Sequence, residues 1–227
     1  MAGLRSIRSE IKCLTIIVSL FFIMLTISPA GAEDNKITYG SACKFGAGII
    51  SAYMIHEAGH FLVAGATGTH LHWEVGSYNQ PLGYTESADS DDKGVAVNSA
   101  GLIFQLIGSE VILYSDKIDK NDAFVRGMMA WNIINPILYS LDYWFIRRTN
   151  QQQSNKYRGD IEGVEYYSNK RTANIFAFSV AALASFQGYR YLKTQDWAPE
   201  WIKGETHTVN FAPMPSGGFA LMYEYRF

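Results

Sequence analysis

Residues 46–66 form an apolar run that contains three ionisable side chains, His56, Glu57 and His60. Such side chains are costly inside an apolar segment of membrane type and are usually functional there. The run reads as a helix. Within it His56-Glu57-Ala58-Gly59-His60 is an H-E-x-x-H pattern. Residues four apart lie on one helix face, one turn above each other. Both imidazoles can then bind one Zn²⁺, with the intervening glutamate placed as a base toward water at the metal. The alternative is a pair of polar residues in an ordinary helical core.

The first 32 residues read as a secretory signal. Arg5, Arg8 and Lys12 make a basic start, residues 13–27 are apolar, and Ala30-x-Ala32 offers a small-residue cleavage pattern before Glu33-Asp34. The expected cut follows Ala32. An uncleaved anchor helix is the alternative. Without the signal only Cys43 remains, so no intramolecular disulfide forms, and Cys43 is expected to be a small buried residue. With a net charge of −2 and no basic patch, nucleic acid is excluded as a partner.

Four apolar segments follow, at 46–66, 95–114, 124–146 and 173–192. Each approaches the ~20 residues a bilayer crossing needs. Their Gly, Ala, Ser and Asn content suits close helix packing. A soluble domain of amphipathic helices is the competing reading. Charge orients the chain. Arg147, Arg148, Lys156, Arg158, Lys170 and Arg171 place loop 147–171 in the cytoplasm by the positive-inside rule. Residues 115–122 and the tail then face outward.

Two stretches alternate as strands. Residues 69–76 run into the turn-rich Tyr78-Asn79-Gln80-Pro81-Leu82-Gly83, which predicts a hairpin directly after the metal helix. In the tail Phe219, Leu221, Tyr223, Tyr225 and Phe227 fall at every other position, and residues 206–211 are placed to pair with them. The tail resembles a terminal barrel strand, but one hairpin cannot make a barrel of eight or more strands.

Together His56-Glu57-Ala58-Gly59-His60-Phe61-Leu62-Val63-Ala64, Gly68 and Pro81-Leu82-Gly83 resemble the metal helix and following hairpin of the site-2 protease family of intramembrane zinc metalloproteases. Ser99-Ala100-Gly101-Leu102 is similar to that family's second motif, without its proline. Asn132-Ile133-Ile134-Asn135-Pro136 through Leu141-Asp142 is similar to the third, with spacing one residue longer and Tyr143 in place of glycine. The resemblance spans residues 46–142. It implies a zinc-dependent intramembrane endopeptidase acting on membrane-spanning or peptide substrates, lodged in the bacterial inner membrane. Association with the outer membrane through the tail is a minor alternative. The resemblance also implies an exposed hairpin edge, within 69–86, that receives substrate as an added strand.

A catalytic zinc takes three protein ligands. The third is expected to be a carboxylate, and Asp142 competes with Asp160. Asp142 fits the third motif. It lies about five residues from the inner end of its segment and His60 about six from its own, so at about 1.5 Å per residue their depths match. Asp160, in Arg158-Gly159-Asp160-Ile161-Glu162, is either a ligand or a helix-starting residue. Glu74 and Glu110 are further possibilities. Glu57 is the expected general base. Asn132 or Asn135 is expected to hydrogen-bond the substrate, or else to link helices. Pro136 is expected to disturb the third helix. His70 and His72 share one side of the first strand, and His207 has no partner motif.

The expected fold is therefore mainly α. It is a polytopic membrane bundle of about four helices, with a hairpin after the metal helix and a second hairpin at the C-terminus. The expected divisions are a signal (1–32), a metalloprotease-like helical domain (33–192) and a tail (193–227). Two other functions remain open. One is a non-catalytic membrane protein that keeps the fold, and the other is an envelope assembly module acting through its tail.

Overall fold

A computed structural model describes residues 38–77, 80–146, 159–203, 207–213 and 219–225. The expected signal, the basic residues Arg147, Arg148, Lys156 and Arg158, and the tail residue Phe227 lie outside the described residues. The remaining chain is mainly helical.

Helix α1 runs Tyr39–Thr67, and its buried residues are Gly48, Ala52, His56, Gly59, His60 and Ala64. Steps of three and four keep these on one stripe. Cys43 falls off that stripe and is exposed, which corrects its expected burial. Gly68 ends the helix with φ +70°, and the Thr69 amide donates to the Ala64 carbonyl at 2.9 Å. That pairing is the Schellman form of helix end, which favours glycine at the left-handed position. Strands β1 (His70–Ser77) and β2 (Gln80–Ser87) follow directly and pair antiparallel from His70↔Ser87 to Ser77↔Gln80.

Helix α2 (Asp91–Tyr114) carries Asp91 and Asp92 in its first turn, where a helix favours negative charge. Asp122 caps α3 (Ala123–Leu141) by accepting from the Phe124 amide at 2.9 Å. α3 stays helical through Pro136 and then loosens into a π-helical turn, Asp142–Ile146. The short α4 (Asp160–Tyr166) precedes α5 (Lys170–Leu192), which Asn169 caps through the Thr172 amide. α6 (Glu200–Lys203) is a single turn. β3 (His207–Pro213) and β4 (Phe219–Tyr225) form a second antiparallel hairpin.

Two apolar clusters hold the helices. Leu102, Leu106, Tyr143, Ile161, Val164 and, from α5, Ala173, Ala177, Val180 and Ala184 pack where α2, α4, α5 and the π-turn meet. Ile112, Met129, Ile133 and Tyr191 pack where α2, α3 and α5 meet. The interior also holds Asn98, Gln105, Ser109, Asn132, Asn135 and Gln187, all buried. The outside is apolar along several helices. Ile103, Ile107 and Val111 are exposed on α2, and Ile175, Phe178, Leu183 and Phe186 on α5. Among the described residues one helix, α2, is long and apolar enough to cross a membrane by length and composition.

α1 meets α3 through two glycines. A Cβ on Gly48 would lie 2.0 Å from the Phe124 carbonyl oxygen, and one on Gly127 would lie 2.0 Å from that of Phe45. Neither backbone oxygen can swing aside as a flexible side chain does. Gly46 has nothing within 4 Å of its Cβ position. Gly46→Ala should therefore raise stability by about 0.5–1 kcal/mol through helix propensity. Gly127→Ala should lower it by about 1–3 kcal/mol through overpacking. Thermal unfolding of the two purified variants against wild type checks the opposite signs.

Candidate metal centre

His56 and His60 are both buried, at 2% and 0% exposure, and their Nε2 atoms lie 3.1 Å apart. Each ring is fixed through its other nitrogen. His60 Nδ1 sits 2.6 Å from the Val97 carbonyl, which only accepts, so Nδ1 carries the hydrogen. His56 Nδ1 sits 3.0 Å from Gln105 Oε1. In the neutral tautomer with its hydrogen on Nδ1, each ring turns a bare Nε2 lone pair toward one point.

Asp160 completes the group. Its Oδ2 lies 3.1 Å from His56 Nε2 and 3.4 Å from His60 Nε2. These are ion-pair distances, and among the described residues this buried oxygen has no hydrogen-bond partner. A bare carboxylate oxygen and two bare ring nitrogens this close repel one another unless a proton or a metal ion lies among them. Ligand atoms about 2.0–2.1 Å from a tetrahedral zinc stand roughly 3.3–3.4 Å apart, so the observed triangle has the size of one face of such a site. Among the described residues His56, His60 and Asp160 can hold a metal ion. Burial alone pushes the Asp160 carboxyl up; where the rings carry a second proton, His60 and His56 outweigh it and hold the carboxyl well below the ordinary carboxylate range.

Asp160 reaches the histidines because α4 is pinned to α2. Ile161 and Val164 are buried in the larger core cluster. Gly163 lies so close to α2 that a Cβ would stand 2.0 Å from Asn98 Oδ1. The Tyr143 hydroxyl donates to Glu165 on the far side of the short helix.

Asp142 is not among the gathered ligands, which reverses its expected precedence over Asp160. It starts the π-turn at the end of α3. The residue that α3 turns to His56 is Tyr139, with ring centroids 5.9 Å apart. Equal depth along two helices does not fix which side chain crosses between them. Glu110 is also displaced as a ligand, since both its oxygens lie 2.8 Å from Arg190. Glu74 is paired with Gly83 in the β1–β2 ladder. His70 and His72 are exposed on β1, and His207 stands opposite Tyr225 in the tail hairpin.

Glu57 lies beside the group without joining it. Its carboxylate interacts electrostatically with His56, His60 and Asp160, and the Tyr53 hydroxyl hydrogen-bonds it. Tyr53 stands one helical turn before Glu57 and meets Trp131 edge-on at 6.3 Å. Asn135 Nδ2 donates to Gln105 Oε1 at 2.8 Å, so its amide is tied to the far side of His56. Asn132 is fully buried, and neither of its amide atoms has a partner among the described residues.

Gly101 explains why the middle motif sits here. A Cβ on it would lie 2.3 Å from His60 Nε2 and 2.6 Å from His56 Nε2. Only glycine leaves room for the two rings. Sequence reasoning passed over Gln105 and Tyr53. Gln105 had one available signal, an amide one turn after Gly101 in an apolar run.

Scans against protein-family models, curated proteins and solved structures return no match. Asp160→Asn should lower metal affinity by at least about tenfold, because it removes a charged ligand, whereas Asp142→Asn should change it little. Gly101→Ala should lose metal while keeping the helical circular dichroism signal, because its methyl occupies the space at the two Nε2 atoms. Metal content after dialysis against a graded chelator ranks the three variants.

Proposed function

We propose that this chain is a zinc-dependent intramembrane endopeptidase, a divergent relative of the site-2 protease family. One observation carries the reading. A buried His-His-Asp group has a second carboxylate, Glu57, at its side but outside the ligand set. A purely structural site has no use for that extra acid.

Two imidazoles and a carboxylate match zinc's preferences. A zinc ion there supplies Lewis acidity, which activates water near neutral pH and polarises a carbonyl oxygen. Glu57 is the base. Its carboxylate takes a proton from the attacking water and delivers it to the leaving amine. The Tyr53 hydroxyl, through its hydrogen bond, holds that carboxylate in place. Neither asparagine is assigned a contact with substrate: Asn135 is engaged by Gln105, and Asn132 is fully buried.

The membrane setting is supported by polarity. Beside their apolar clusters the helices bury Asn, Gln, Ser and His, and they expose Ile, Phe, Val and Leu along α2 and α5, an outer face suited to lipid. α1 at 29 residues and α5 at 23 are each long enough to span a bilayer core at about 1.5 Å per residue. α3 with its π-turn completes a bundle of four around α2. Loop 147–171 is then cytoplasmic, and the protein resides in the inner membrane of a bacterial envelope. The β1–β2 hairpin, which leaves α1 seven residues after Val63, offers a strand edge on which an unwound substrate segment can be held extended.

Glu57→Gln should keep its metal and lower cleavage of a membrane-spanning substrate by about 10²–10⁴. Proteolysis in vesicles, with metal content measured on the same samples, checks this. A wild-type protein that holds zinc but cleaves nothing across a broad panel of envelope proteins overturns the peptidase reading in favour of a non-catalytic descendant.

A further inference from the structure

We propose that Gln105 is the positioning residue that makes His56 a metal ligand, and that Asn135 holds Gln105 in that role. The inference rests on the metal reading of the site and does not depend on peptidase activity.

The two histidines are oriented by unlike means. His60 Nδ1 meets a backbone carbonyl, Val97, at 2.6 Å. That acceptor is fixed by α2 itself and has no second orientation. His56 Nδ1 meets a side-chain amide, Gln105 Oε1, at 3.0 Å. An amide has two ends. With Oε1 toward the ring, His56 donates from Nδ1 and leaves a bare Nε2 for the metal. With the amino end toward the ring, Nδ1 must accept, and the hydrogen moves to Nε2, where it points into the ligand centre and blocks it. The end that Gln105 presents therefore selects the tautomer.

Asn135 supports the oxygen end. Its Nδ2 donates to the same Oε1 at 2.8 Å. One oxygen then accepts from two donors on two different helices, α1 and α3, while its own residue sits on α2. Gln105 is 0% exposed and Asn135 7%, so no solvent competes for these bonds. The other end of the amide, Gln105 Nε2, is buried and has no hydrogen-bond partner among the described residues. A buried donor left unsatisfied is unfavourable. That loss is tolerable where the oxygen end is doing a task at His56. Partners that orient metal-bound histidines commonly carry effects of 10–100-fold on affinity.

The test is zinc affinity of the purified full chain by competition with a chromogenic chelator, together with the visible d–d spectrum of the Co²⁺-loaded protein. Gln105→Leu removes the acceptor and should weaken Zn²⁺ binding by about 10–100-fold and alter the Co²⁺ bands. Gln105→Glu can only accept, so it should bind at least as tightly as wild type and keep the bands. Gln105→Asn keeps the amide but withdraws it by one methylene. It should weaken binding by about tenfold, and it carries the test if the leucine variant does not fold. Asn135→Leu should produce a smaller loss of the same kind. Wild-type affinity and an unchanged Co²⁺ spectrum in Gln105→Leu or Gln105→Asn overturn the inference alone. So does a Gln105→Glu variant as weak as Gln105→Leu, because packing and not acceptance would then be at work. A wild-type protein that binds neither ion overturns the metal reading and the inference with it.

Discussion

Three electron-rich atoms, two imidazole nitrogens and a carboxylate oxygen, lie within 3.1–3.4 Å of one another out of reach of water. Much of the architecture is what it takes to bring them there. Their mutual repulsion would be relieved by a shared cation, which the geometry can hold, and a buried charge that is not paired or coordinated is strongly unfavourable. The ring nitrogens are bare because the opposite nitrogens are spoken for, one by Val97 and one by Gln105. The carboxylate is present because a seven-residue helix is pinned against α2 by Ile161, Val164 and Gly163.

Close approach is the second constraint, and it follows from the first. Imidazoles on α1 can share ligand space with a residue on α4 only if α2, which lies between, has no side chain at that level. Gly101 meets this need. Gly48 and Gly127 do the same for α1 against α3, where each faces the other helix's backbone oxygen. Small residues let helices touch without a hydrophobic drive from water, which is the packing rule of apolar surroundings. The same surroundings fit the exposed isoleucines and phenylalanines of α2 and α5. On the proposed membrane reading, polar satisfaction inside and apolar contact outside are one arrangement seen from two sides.

How much of this was legible in the sequence depends on the range of the interaction. His56, Glu57 and His60 sit within one turn of helix, where fixed geometry converts spacing into a shared face. The hairpin after Gly68 was likewise local, signalled by alternation and turn residues. The choice between Asp142 and Asp160 was not local. Asp142 had the right depth, but α3 directs Tyr139 to His56 and gives up regular α-helix at Asp142 itself. Asp160 was read either as a ligand or as a helix start in segment 147–171, and it is both in place to ligate and the first residue of α4, but nothing in its own neighbourhood announces that this short helix folds back onto α2. Gln105 was hidden for a similar reason, since its meaning lies in a ring 49 residues away. Cys43 misled because burial was inferred from residue type, whereas the helix stripe decides it.

The division of labour among the helices has a mechanical consequence. α1 supplies two ligands and the proposed base within five residues, so those three move together. The third ligand belongs to α4, whose attachment to α2 and to Tyr143 is made of separate contacts. A cation held at the three atoms therefore joins two pieces of chain that are 100 residues apart, and whatever loosens α4 opens the ligand set without disturbing α1. Conversely, binding energy at the ligands becomes docking energy for α4, as expected when a site is completed only in the folded state. The invariable geometry on one side, and the separately anchored carboxylate on the other, make Asp160 the ligand through which a change in the region around α4 would reach the site.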